Sequence, residues 1–152
     1  KADGKWKVKE SVGKIIKAEE DMEYNKLRTY EEFANRVENL KLELTSLLHN
    51  LKSQGKKIIG YGAAAKGNTL LNYFKIDTKF LEYIADKSQF KQGKYTPGTH
   101  IPVFSPERIA QDKPDYVVIL PWNFKNEIMR QQEKIREWGG KFILPIPNVQ
   151  II

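Results

Sequence analysis

The 152-residue chain is long enough for one full domain, or one small domain with a helical appendage. It contains no cysteine, which excludes disulfides, thiolate catalysis and cysteine zinc sites within it. Its formal charge of +7 favours anionic partners, but acids and bases interleave, as in KAEEDMEYNKLRTYEE, so no basic stripe for nucleic acid stands out. No stretch approaches the roughly 20 apolar residues of a membrane span, and no secretory signal is visible, so a cytoplasmic location is expected. The chain starts at Lys1 rather than methionine, and we expect it to be a piece of a longer protein.

Residues 1–13 read as an irregular lead-in, and 14–27 as a helix with Ile15, Ile16, Met22 and Leu27 on a loose stripe. Phe33, Val37, Leu40, Leu44, Leu47 and Leu51 recur in steps of four and three, which predicts a long helix with one apolar face. Thr29 and Glu32 have the spacing of a capping box, and Gly55 supplies the stop. From Lys56 the pattern becomes strand and helix in alternation. KKIIGYG, FLEYIAD, HIPVF, DYVVILP and KFILPIP read as five strands. Helices are expected over 64–74, after the Ser105-Pro106 start signal, and from an Asn123 cap through Trp138 to the Gly139-Gly140 stop. Alternation of this kind predicts an α/β, Rossmann-like, doubly wound domain. Its sheet is mainly parallel and five-stranded, with an N-terminal helical extension. The expected division is 1–55 for the extension and 56–152 for the Rossmann-like domain.

Gly60-Tyr61-Gly62-Ala63-Ala64-Ala65 fits G-x-G-x-x-A between a strand and a helix. In that reading Gly60 permits the tight turn, Gly62 lets a ligand phosphate approach the main chain, and Ala65 allows close helix–strand packing. The helix start then offers free amides to an anion, and Lys66 adds a charge. A Walker loop does not fit, because Asn68 holds the position its lysine needs. Asp86, 26 positions after Gly60 at the end of the second strand, stands where such folds place a ribose-binding acid. Lys87, Lys91 and Lys94 cluster in the loop that follows, with Gly93 and Pro97-Gly98 as turn formers. Trp122 offers a flat face at the same rim, and Asn123 an amide or a helix cap. His49 and His100 have no partner that argues for a triad, and no metal motif is present. The glycines are also compatible with a plain strand–helix turn.

Taken together, GYGAAAKGNTLLNYF, DKSQFKQGKYTPGTHIPV, PDYVVILPWNFKNEI and GGKFILPIP resemble the C-terminal domain of S-adenosylmethionine-dependent sugar C-methyltransferases. These enzymes act on nucleotide-linked deoxysugars, and the resemblance runs from about Tyr30 to Ile152. It implies that a zinc-binding region and a methyltransferase domain lie upstream in the same protein, holding zinc, S-adenosylmethionine and the catalytic base. The present piece would then hold a nucleoside-diphosphate sugar without catalysing, with no cofactor, metal or catalytic residue of its own. The binding residues expected are Gly60, Tyr61, Gly62, Ala63, Ala64 and Lys66 at the turn, and Asp86 toward a hydroxyl. Lys91, with the 93–99 turn and its Gly93, Pro97, Gly98 and Thr99, would close over the ligand, and Trp122 and Asn123 would form the far wall. Expected partners are the nucleotide-sugar and the upstream methyltransferase domain, with no nucleic acid and no membrane. The alternative is an NAD(P)-binding Rossmann module of an oxidoreductase or sensor, carried by the glycine turn and Asp86.

Overall fold

A computed structural model describes residues 7–152, so the first six residues of the expected lead-in lie outside the described residues. The chain divides into two compact units, Lys1–Asn39 and Leu40–Ile152. In the first, α1 (Glu10–Asp21) starts and stops earlier than the sequence suggests. Glu23 takes a left-handed φ of 55°, which the expected helix to residue 27 does not allow. The capping box does not form. Helix α2 (Leu27–Ser53) begins two residues before Thr29. The Thr29 hydroxyl instead donates to the Glu23 carbonyl at 2.8 Å, and Glu32 accepts from Arg28 Nε at 2.7 Å.

In the second unit, α2 buries Leu44, Leu48 and Leu51, three positions spaced four and three apart. Of the expected stripe, Leu44 and Leu51 are buried, Leu40 and Leu47 half-buried, and Leu48 was not on it. Gly55 ends the element with a φ of 74°. His49 is exposed and meets the Phe80 ring edge-on, with centroids 4.6 Å apart.

Six strands form one sheet in the order β3-β2-β1-β4-β5-β6. β1 (Ile58–Tyr61), β2 (Ile84–Ala85), β3 (Val103–Phe104), β4 (Tyr116–Ile119) and β5 (Lys141–Leu144) run parallel. β6 (Gln150–Ile151) is a sixth, antiparallel strand on β5, beyond the five expected. Ile58, Ile59, Ile84, Val117, Ile119, Phe142 and Ile143 are almost fully buried, as strands covered on both faces require. The order reverses between β1 and β4, so the C-terminal ends of these strands frame the crevice of a doubly wound sheet. Among the described residues, no helix is long and apolar enough to cross a membrane.

Three helices lie between strands: α3 (Ala65–Phe74), α4 (Glu107–Asp112) and α5 (Lys125–Gln131). Pro106 occupies the N-cap of α4 and makes no side-chain cap bond, so the expected Ser105 cap is displaced by one residue. The long helix expected from Asn123 is broken. A 3-10 turn over Trp122–Phe124 leads into α5, and a second 3-10 stretch, Glu133–Trp138, runs to Gly139. Phe124, not Asn123, sits at the N-cap of α5.

The crossover from β2 to β3 holds no helix at all. Residues 86–102 instead fold back along the sheet edge. Gly93 N–H donates to the Val103 carbonyl at 2.9 Å, Val103 N–H to the Lys94 carbonyl at 2.8 Å, and Tyr95 bridges Pro102. The strand expected over FLEYIAD shrinks to Ile84–Ala85 as a result, since its outer neighbour β3 offers only two residues for pairing.

At the opposite ends of the strands, Asp115 ties β4 to β1. Its carboxylate accepts the Lys57 main-chain N–H at 2.8 Å and Lys56 Nζ at 3.2 Å. The Lys57 amide, more than the Lys56 ammonium, holds the Asp115 carboxyl below the usual aspartate value, against the opposing effect of burial. Because the folded value is depressed, the stabilisation is complete above the unfolded pKa of about 3.9 and is lost as pH falls through the folded value. The side chain is 39% exposed, so solvent screens the effect. Urea midpoints measured between neutral pH and pH 3 are expected to fall less steeply in Asp115→Asn than in the parent chain. Parallel curves would remove Asp115 as a contributor to acid sensitivity.

Candidate functional site

The strand–helix turn after β1 is bare because its neighbours fill the space. A Cβ at Gly62, whose φ is 85°, would lie 2.6 Å from the Pro121 ring. The second glycine therefore admits Pro121 from the end of β4, where the sequence suggests a phosphate. Gly67 takes the packing role expected of Ala65. A Cβ there would meet Leu120 Cβ at 2.7 Å, whereas Ala65 is exposed. Gly60 lies within β1, and its added Cβ would sit 2.9 Å from Ile84.

Most of the turn's amides are already engaged. Gly62 N–H donates to the Ala85 carbonyl at 2.7 Å, and Ala64 N–H to the Gly62 carbonyl at 2.8 Å. Ala63 N–H donates to Asp86 Oδ2 at 2.7 Å. The first intrahelical bond of α3 runs from Asn68 N–H to the Ala64 carbonyl, leaving the amides of Ala65, Lys66 and Gly67 without an acceptor inside the helix. The amides left free by the helix thus start at Ala65, the last residue of the expected Tyr61–Ala65 span.

Asp86 acts as a clasp. It is 8% exposed. Besides the Ala63 amide, it accepts the Ser88 amide at 2.8 Å and pairs with Lys91 Nζ at 3.2 Å, while its own carbonyl accepts Gln92 Nε2 at 2.9 Å. One carboxylate thereby joins the turn after β1 to the crossover loop after β2. The geometry gives Asp86 an internal role where the sequence suggests a ligand hydroxyl.

Two hollows flank this clasp. The first is a cleft of about 400 Å³ between α3 and the crossover loop. Ala63, Ala64, Lys91 and Pro97 line it, with Lys94, Tyr95 and Thr96 of the expected 93–99 turn and with Asn68, which the sequence reading did not single out. The second, about 270 Å³, lies where the strand order reverses, and holds Tyr61, Gly62 and Asp86 with Pro121, Phe124 and Glu127. The expected site is therefore divided by the Ala63–Asp86–Lys91 contact. Gly93 and Gly98 hold turns, with φ of 75° and 81°, and a Cβ at Gly98 would overlap the Asn72 amide oxygen. Asn72 Nδ2 donates to the Pro97 carbonyl at 3.0 Å, fastening the loop to α3. Thr99 hydrogen-bonds the Thr96 hydroxyl at 2.7 Å. His100 is exposed with a φ of 53°, and it lines neither hollow.

The family model of the C-methyltransferase C-terminal domain matches residues 1–147. The chain belongs to this family. It is 36% identical over 145 residues to C-methyltransferase NovU of Streptomyces niveus, a match covering 95% of this chain and 34% of that protein. The chain thus spans about a third of the length of the curated relative it matches. Among solved structures, UDP-D-quinovosamine 4-dehydrogenase from Vibrio fischeri is similar with a TM-score of 0.46 and 19% identity, covering 64% of this chain and 93% of that one.

In this C-methyltransferase C-terminal domain, Lys66, Trp122 and Asn123 form a cluster of their own. Lys66 Nζ lies 4.4 Å from the Trp122 ring centroid and hydrogen-bonds Asn123 Oδ1. None of the three lines the 400 Å³ cleft. Asn123 is thus freed from capping and serves to hold the lysine. The cleft residues that sequence reasoning missed carry a faint signal. Ala64, Asn68 and Leu71 follow the i, i+4, i+7 spacing of one helix face, so a cleft touching Ala64 also meets Asn68. Tyr95 and Thr96 fall within the expected 93–99 turn, but irregular backbone has no periodicity to single them out individually.

Proposed function

We propose that this domain holds a nucleoside-diphosphate-linked keto-deoxysugar for a C-methyltransferase, without itself performing the transfer. The observation that carries the reading is the 400 Å³ cleft, bounded by the start of α3 and by Lys91 and Lys94 of the crossover loop. It combines apolar walls with cations and the first amide of α3, that of Ala65, at its edge, a combination suited to a ligand with a ring at one end and phosphates beside it. S-adenosylmethionine and the base that removes a proton next to the sugar ketone belong, in this reading, to the methyltransferase domain upstream in the same protein. The NAD(P) reading loses its support at Asp86, whose two oxygens are committed internally, and at Gly62, where Pro121 fills the approach.

Calorimetric titration of the chain with nucleoside-diphosphate sugars is expected to show saturable binding. Lys94→Ala should weaken it by about 1–2 kcal/mol through loss of a charge-assisted contact. Binding of NADH in place of nucleotide-sugars, or an unchanged affinity in Lys94→Ala, would count against this placement.

A further inference from the structure

Resting on the nucleotide-sugar reading above, we propose that the cleft takes the nucleobase, that Asn68 reads the edge of that base, and that the sugar stays outside. The inner walls are Leu71, Ile84, Val103 and Leu120, all apolar. A flat ring with apolar faces and a polar edge suits such walls. A hexose does not, because each of its hydroxyls would need a partner there.

Polar capacity inside the cleft is nearly exhausted. Thr96 is 5% exposed, and its hydroxyl already meets the Thr99 hydroxyl at 2.7 Å and accepts the Ile101 amide at 2.9 Å. The Ala63 and Ala64 amides are taken by Asp86 and by the Gly62 carbonyl. Asn68 is different. Its Oδ1 is buried and has no hydrogen-bond partner. That oxygen is closed to solvent as it stands, so Asn68, which lines the cleft, has to turn its amide toward a ligand donor to remove the cost of the unpaired acceptor.

The rim supports the same orientation. The Tyr95 side chain stands largely exposed at the mouth, where a planar ring has a face to stack on, and Lys91 and Lys94 lie beside it for phosphate. A sugar beyond the phosphates then projects from the domain. That suits a reaction whose base and methyl donor are supplied from elsewhere in the protein.

The test is calorimetry on the 152-residue chain. The probes are the diphosphates of uridine, thymidine, cytidine, adenosine and guanosine, their glucose conjugates, and glucose 1-phosphate. The preferred free diphosphate should bind within about threefold of its glucose conjugate, and glucose 1-phosphate should not compete. Asn68→Ala should weaken the preferred diphosphate by about tenfold or more and flatten the preference among bases, with no loss of melting temperature. Full-strength binding of the conjugates by Asn68→Ala would overturn the assignment while leaving the nucleotide-sugar reading intact. So would glucose 1-phosphate competing as well as the diphosphates. If no nucleotide or conjugate bound, both readings would fall together.

Discussion

Asp86→Ala is expected to lower the stability of the Rossmann-like unit by about 3 kcal/mol, to be read from urea unfolding at neutral pH. The substitution strips a buried carboxylate from two main-chain donors and an ammonium group. Hydrogen bonds to charged groups contribute about 1.5–3 kcal/mol each, and the Ala63 and Ser88 amides would be left to find water. Asp86→Asn keeps one oxygen and loses the charge, so about half the effect is expected. Hydrogen exchange separates this from a general loss of packing. The Ala63 and Ser88 amides should exchange faster in Asp86→Ala, while those of β4 and β5 change only with global stability. On the proposed nucleotide-sugar reading, affinity should fall with it, because the clasp positions Lys91 at the cleft. A loss below about 1 kcal/mol would show that the loop is held by its other contacts.

Gly62→Val is the second severe substitution, with an expected loss of about 3 kcal/mol or more. A β-branched residue at a φ of 85° is strained by itself, and its Cβ would overlap the Pro121 ring. Most of the damage arises at Cβ, so Gly62→Ala should carry much of it. The double variant with Pro121→Ala relieves the overlap but not the backbone strain. A coupling of about 1 kcal/mol or more between the two sites is therefore expected from a double-mutant cycle. Simple additivity would mean that the ring moves aside at little cost.

The fold was readable because its signals are local. Ile58-Ile59, Tyr116–Leu120 and Phe142–Leu144 are apolar runs bounded by glycine, proline or charge, and each became a strand. β6 escaped because two residues carry no periodicity, and the fifth strand ended early because Pro145 cannot donate to a ladder. The site was legible only in part. Ala63, Ala64, Lys91 and Pro97 do meet around one cleft. What the sequence could not show is who fills the space above a glycine: Pro121 lies 59 positions from Gly62 and Leu120 53 from Gly67. The G-x-G-x-x-A pattern is the same whether a phosphate or a proline ring sits over it. Lys66 does meet Trp122 and Asn123, as residues of one expected site, but its place away from the 400 Å³ cleft could not be read locally, since the two partners reach it through the β1–β4 pairing.

The helix-free crossover has a consequence for how such domains diversify. A helix in that position would be committed along its whole length to covering the sheet, and any change of ligand preference would disturb packing. Residues 86–102 touch the core through few side chains, Thr96 and Ile101 among them, and are otherwise pinned at their ends and by Asn72. Exchanging the segment 89–99 between relatives should therefore change the rim of the cleft with little disturbance of the sheet beneath, while the contact from Asn68 on α3 stays with the scaffold.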